Sequence, residues 1–224
     1  MRLLLKLLVK VLFGGLVLLA LGGAIYYWVV SRDDCQSLAD DPVRWHQVLE
    51  GWRKQELVLM IRHASKCDGD HPDCPTDDEY LTEQGKLEAA LIGKGLKLLE
   101  EDFVAYHSPM TRTRDTARIA LGDRSQPRGW LSTACKTDFP DYFYDLPSGS
   151  NYLLVTHSSC FDVFEKPGGG FLLGFDSGTR FHFGIAAFFK RFQDDQGHNQ
   201  PGLMGCVWPE DWEDLAALES SPRE

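Results

Sequence analysis

Leu57-Val58-Leu59-Met60-Ile61-Arg62-His63-Ala64 is the stretch that decides the fold, because an unbroken apolar run passes straight into an Arg-His pair. A short apolar run with no polar alternation is the pattern of a strand covered on both faces, as in a parallel sheet flanked by helices. A second run, Tyr152-Leu153-Leu154-Val155-Thr156-His157, also ends in histidine. Open α/β sheets bind ligands in the crevice outside the carboxyl ends of their strands, where loops control the side chains. Two buried strands that each deliver an imidazole there predict one pocket holding Arg62, His63 and His157.

Outward from this strand, helical and extended patterns alternate. Before it, Pro42 to Gln55 spaces Val43, Trp45, Val48, Leu49 and Trp52 as one face of a helix. After it, Ser65 to Tyr80 is a loop rich in Asp, Gly, Pro and Cys. Thr82 is placed to cap a helix running to about Glu101, with Leu87, Leu91, Gly95 and Leu98 as its expected inner face. Phe103 to Tyr106 reads as a second strand, and Ser108-Pro109 opens a helix from Met110 to Leu121, with proline tolerated in the first turn.

Gly122 to Thr137 is turn-rich, Phe139 to Leu146 weakly helical, and Asn151 to Thr156 the third clear strand. Gly168 to Gly170 separates that region from two β-like runs, Phe171 to Phe175 and Thr179 to Phe189. Beyond Gln193 the chain is polar and aromatic by turns, and Trp208-Pro209-Glu210-Asp211-Trp212 is expected to pack on the surface. Such alternation predicts a three-layer α/β/α domain with a mainly parallel sheet over residues 40–215, followed by a disordered tail at 216–224.

Residues 1–32 read differently. Val11 to Val30 carries no charge and, at about 1.5 Å per helical residue, is long enough to cross a hydrocarbon core of roughly 30 Å. Arg2, Lys6 and Lys10 precede it, which predicts a cytoplasmic N-terminus and an exported domain behind a transmembrane signal anchor. The length of the apolar run and the aromatic Tyr26-Tyr27-Trp28 favour a retained anchor over a cleaved signal peptide.

The net charge is −10, and all 33 acidic residues follow Val30, so the exported part is more acidic still and nucleic acid is not expected as a partner. An anionic ligand must then rely on a local cluster of cations. Six cysteines in an exported chain fit three disulfides. Cys67 and Cys74 close a short loop and pair first. Of the three pairings open to the other four, Cys135 with Cys160 is favoured because both flank the third strand, which leaves Cys35 with Cys206. A zinc site using Cys67, His71 and Cys74 lacks a visible fourth ligand, so no metal is expected.

The helix after the second strand opens Ser108-Pro109-Met110-Thr111-Arg112-Thr113-Arg114-Asp115-Thr116-Ala117, which puts Arg112 in the first turn beside the same crevice. Forked guanidinium donors match phosphate oxygens, and an imidazole can act as nucleophile. An isolated histidine at a strand end is more often structural, but two histidines with two arginines reverse that expectation. Arg114 reads as a surface residue pairing with Asp115 or Asp123, and His107 as structural.

Arg62-His63-Ala64, the Ser108 to Ala117 element and Thr156-His157 together resemble the motifs of the histidine phosphatase superfamily, the phosphoglycerate-mutase-like group. Within it the sequence is most similar to the exported lipopolysaccharide core heptose(II)-phosphate phosphatases. They share its membrane-directed N-terminus, the Arg-His-Ala variant and a Cys-x6-Cys loop corresponding to Cys67 and Cys74.

That resemblance implies a histidine-phosphatase fold, His63 as the nucleophile, and Arg62, Arg112 and His157 as the groups that hold the phosphoryl oxygens. It implies phosphomonoesterase activity through a phosphohistidine, without metal or organic cofactor. The expected substrate is a phosphosugar or an envelope glycolipid phosphate at the periplasmic face of a bacterial inner membrane. The acid for the leaving group is expected at Asp138, three residues after Cys135, with Asp141 next. Other phosphate esters, phosphoproteins, or a catalytically silent phosphoglycan-binding role are the alternatives.

Overall fold

Side-chain alternation along β1 (Leu57–Arg62) sets the layers of the molecule. Leu57, Leu59 and Ile61 face one core and Val58 and Met60 the other, and all five are fully buried. The computed structural model describes residues 35–67, 74, 79–99, 102–132, 135–164, 182–193, 195–197 and 199–220. The predicted transmembrane segment, the predicted strand at Phe171 to Phe175 and the part of the predicted disordered tail beyond residue 220 lie outside the described residues; residues 216–220, expected in that tail, instead belong to a helix that runs from Asp211 to Ser220. No helix among the described residues is long and apolar enough to cross a membrane.

In chain order the elements are α1 (Pro42–Arg53), β1, α2 (Glu83–Gly95), β2 (Phe103–His107), α3 (Thr111–Leu121), β3 (Ser125–Pro127), α4 (Cys135–Tyr144), β4 (Asn151–Thr156), α5 (Ser158–Phe161), β5 (Ala186–Gln193), β6 (Asn199–Val207) and α6 (Asp211–Ser220). The sheet order is β3-β2-β4-β1-β5-β6. Its first four strands are parallel; β5 pairs antiparallel with β1, and β6 antiparallel with β5. The sheet is therefore mixed and mostly parallel, and its two faces are covered as expected of an α/β/α fold.

One core joins Trp45 and Trp52 of α1, Ile92 of α2, Ala117 of α3 and Trp212 and Leu215 of α6 to the odd-numbered face of β1. The other joins Phe139 and Phe143 of α4 and Phe161 of α5 to the even-numbered face. Asp41 caps α1 by accepting from the Arg44 amide, and Thr82 caps α2 by accepting from the Gly85 amide. Each such cap contributes about 1 kcal/mol.

Three further expectations change. The buried face of α2 is Gly85, Glu88, Ala89, Ile92 and Gly95, while Leu87 is 62% exposed. The register is set by backbone approach: a Cβ on Gly85 would lie 2.0 Å from the Ser65 carbonyl oxygen, so the helix turns that glycine inward. Trp212 is 1% exposed and belongs to the core, because Gly95 leaves room for its indole against α2. The region beyond Gln193 contains β6, tied to the amino-terminal side by Cys35–Cys206.

The other two disulfides are Cys67–Cys74 and Cys135–Cys160, so the pairings match those favoured from the sequence and no free cysteine remains. With Cys67 and Cys74 joined, neither sulfur is a thiolate for zinc, and His71 lies outside the described residues.

Candidate active site

Register places the carboxyl ends of the three central parallel strands side by side. Arg62 is opposite Thr156 across β1 and β4, and His107 is opposite Val155 across β2 and β4. Each chain therefore leaves the sheet at the same level: β1 into His63, β4 into His157, and β2 into the loop that starts α3. Backbone bonds lock these exits. The His63 amide donates to the Thr156 carbonyl (2.9 Å) and the Ser108 amide to the Val155 carbonyl (3.0 Å).

His63 and His157 are 4% and 3% exposed, with ring centroids 5.4 Å apart. His63 Nδ1 lies 2.9 Å from the Ala64 carbonyl oxygen, and because a carbonyl only accepts, Nδ1 carries the proton. That leaves Nε2 as the basic nitrogen. It accepts from Arg112 Nε at 3.2 Å. Burial, followed by the charges of His157, Arg62 and Arg112, lowers the His63 pKa to about 3 against the raising effect of the Ala64 hydrogen bond. The ring is neutral at physiological pH.

Burial and then the charges of Arg112 and Arg62 lower His157 to about 4. Its Nε2 lies 2.9 Å from Ser108 Oγ. Its Nδ1 and Arg62 Nε are buried and unpaired among the described residues. Burial and the neighbouring Arg112 lower the Arg62 pKa to about 10, which still leaves the guanidinium charged at neutral pH. Its central carbon lies 4.0 Å from the centroid of the Phe183 ring, and the same ring is 5.4 Å from His63. Phe183 therefore stacks against both the cation and the imidazole.

The loop after His63 is braced from below. The Ala64 amide donates to Thr116 Oγ1 (3.0 Å), which in turn donates to the Arg112 carbonyl (2.7 Å). Glu88 is a buried carboxylate that accepts from the Ser65 amide (2.8 Å) and hydroxyl (2.7 Å). Gly184, at φ +75°, donates its amide to the His63 carbonyl in a left-handed backbone conformation that favours glycine.

Of the predicted residues, Arg62, His63, Arg112 and His157 come together. Asp138 and Asp141 are exposed on α4, and no described hydrogen bond or ion pair joins either to the four. Arg114 pairs with Asp115 at the surface, and His107 lies 3.0 Å from Ser125 Oγ, joining β2 to β3 as a structural residue.

Glu79, Glu88 and Phe183 were not singled out in the sequence. Glu79 bonds Arg112 from the loop before α2, at 2.5 Å. The only signals were an acidic residue just before a helix cap and an aromatic before a glycine, both too common to select.

Two cations and two neutral imidazoles at the carboxyl ends of a parallel sheet define a pocket for a tetrahedral oxyanion. The family profile of the histidine phosphatase superfamily (branch 1) matches residues 58–129 of the chain. It is 25% identical over 117 residues to the lipopolysaccharide core heptose(II)-phosphate phosphatase of Escherichia coli O9:H4 (strain HS), and 24% identical to that of Escherichia coli (strain K12 / DH10B). Each alignment takes in 51% of this chain and 58% of the relative, so the chain spans little more than half the length of these curated relatives. The fold matches the crystal structure of SixA from Agrobacterium tumefaciens with a TM-score of 0.50 and 19% identity, covering 68% of this chain and 97% of that one.

Proposed function

We propose that the protein is an exported phosphomonoesterase that works through a phosphohistidine at His63. The observation that carries this reading is the tautomer: Nδ1 donates to the Ala64 carbonyl, so Nε2 keeps its lone pair inside a cationic pocket. A neutral imidazole so held is a nucleophile at neutral pH without a further base.

In the proposed first step Nε2 attacks phosphorus in line, and the bond from phosphorus to the ester oxygen breaks. Arg62, Arg112 and His157 hold the equatorial oxygens, where their donors match the charge of the transition state. The unpaired Arg62 Nε and His157 Nδ1 are polar atoms available for that contact. Water then attacks the phosphoimidazole, releasing inorganic phosphate and restoring the neutral ring. The sequence assigns the acid for the leaving oxygen to Asp138 or Asp141.

Three disulfides and the cation-flanked apolar N-terminus support an oxidising compartment and a membrane tether for the domain. With the heptose-phosphate phosphatase likeness, they favour a phosphosugar or an envelope glycolipid phosphate as substrate. Tethering raises the local concentration of a lipid-borne target.

The test is phosphate release from an aryl phosphate by the full chain with its disulfides formed, in EDTA, beside His63→Ala. Turnover that survives EDTA and disappears in the variant supports the reading. A folded wild type no faster than the variant overturns it and leaves the phosphoglycan-binding alternative.

A further inference from the structure

The Arg112 guanidinium has two neighbours of opposite character: its Nε faces the basic nitrogen of His63 at 3.2 Å, and its Nη1 meets Glu79 Oε1 at 2.5 Å. One guanidinium therefore separates a carboxyl group from the proposed nucleophile. We propose that Glu79 is the general acid and base of the reaction, in place of Asp138. The proposal rests on the phosphohistidine reading of His63.

Glu79 is held at the pocket by backbone. Lys66 and Leu81 form an antiparallel bridge, the Cys67 amide donates to the Tyr80 carbonyl (2.8 Å), and the Thr82 amide donates to the Ser65 carbonyl (3.0 Å). These bonds return the chain before α2 to the segment that leaves His63, and Cys67–Cys74 closes the loop between them. Glu79 lies one residue before Tyr80, so the closure fixes its carboxyl at the rim. Its side chain is 34% exposed while Arg112 is 10% exposed, which puts the carboxyl between the pocket and solvent, the side by which an alcohol would leave.

Three other carboxyls, Glu88, Asp138 and Asp141, are worse placed. Both oxygens of Glu88 accept from Ser65, and Asp138 and Asp141 are exposed without a described bond to the four residues. Bound phosphate would draw the Arg112 donors to its own oxygens and place two negative charges beside Glu79.

The balance is complete without another reactant. As Nε2 bonds phosphorus, the ester oxygen leaves with the Glu79 proton, giving a free alcohol and a carboxylate. In the second step that carboxylate takes a proton from the attacking water, the nitrogen-phosphorus bond breaks, and phosphate leaves with Glu79 protonated again.

The experiment compares Glu79→Gln and Asp138→Asn with wild type on two substrates of the full chain, an alkyl phosphate and 2,4-dinitrophenyl phosphate. A nitrophenolate leaves without a proton, whereas an alkoxide does not, and general acid catalysis is worth about 10²–10⁴-fold. The expected result is a loss of at least about 100-fold in kcat for the alkyl ester with Glu79→Gln, under about fivefold for the aryl ester at the burst that reports the first step. A retained aryl burst also reports that the variant folds.

Equal losses on both esters overturn the proposal and make Glu79 a brace for Arg112. An alkyl-selective loss in Asp138→Asn with Glu79→Gln unaffected overturns it in favour of Asp138. A folded wild type that turns over neither ester retires the phosphohistidine reading, and the proposal with it.

Discussion

The four parallel strands and the two antiparallel ones differ in what the described residues bury beside their apolar side chains. The buried polar side chains His63, Glu88, His107, Ser108, Arg112, Thr113, Thr116, Asn151, Thr156 and His157 all lie on β1, β2 and β4 or on the loops and helices that join them. On β5 and β6 the buried side chains include Ala186, Ala187, Phe188, Phe189, Cys206 and Val207. Burying charge and imidazole without full partners costs stability, while apolar burial returns about 25 cal/mol per Å². The antiparallel half, with Trp212 packed on Phe188 and Trp45, offsets what the parallel half spends on a desolvated cationic pocket.

The largest expected effect falls on the polar half. His63→Ala should lower phosphatase turnover on the order of 10⁴-fold, as loss of a nucleophile from a coupled set does, with a melting temperature no lower than wild type. Steady-state turnover and a thermal melt on the same sample check both parts; a variant that melts well below wild type would break the division of labour.

Trp212→Ala should do the reverse. A fully buried indole removed from the core costs about 3–5 kcal/mol in denaturant unfolding, while kcat per folded molecule stays within about twofold of wild type, since α6 contributes no side chain to the pocket. A large kcat loss at full folding would show that the two halves are mechanically coupled.

Glu88→Gln is a finer probe because it keeps size and changes what Ser65 can bond. Only one oxygen remains to accept from the Ser65 amide and hydroxyl, so the loop beyond His63 loosens. A fall of about tenfold in kcat, roughly 1.4 kcal/mol, with KM little changed is expected. A change confined to KM would place Glu88 in substrate binding instead.

The last effect is on pH. Both histidines have folded values, about 3 for His63 and about 4 for His157, below the ordinary 6.5 of an unfolded chain. The unfolded state therefore binds more protons below 6.5, and stability is lost as pH falls from there towards the folded values. Between pH 7 and pH 5 this amounts to about 2 kcal/mol for each ring. Urea titrations of wild type and His157→Gln at both pH values should show a shallower loss in the variant. Equal slopes would mean that His157 is not desolvated.

Sequence and structure agree where one short segment carries the whole signal. β1 and β4 were legible because continuous apolar runs have one reading in a covered sheet, and Arg62, His63, Arg112 and His157 because each sits at the end of such a run or in the first turn after it. β3, Ser125–Pro127, is short and polar and exists only by pairing with β2, so no local pattern marks it. The antiparallel direction of β5 and β6 is a property of their partners. Trp212 is buried because Gly95, far away in sequence, leaves room for it. Glu79 and Phe183 reach the pocket through a bridge and a glycine turn that close only in the folded chain.

The most direct test of the central claim is to trap the intermediate: quench the full chain within its first turnovers of a ³²P-labelled phosphate ester, then map the labelled residue. The account predicts label on His63, labile to acid and stable to alkali as a phosphoramidate is, and absent from His63→Ala. Label on another side chain, or undiminished turnover by His63→Ala, would contradict it.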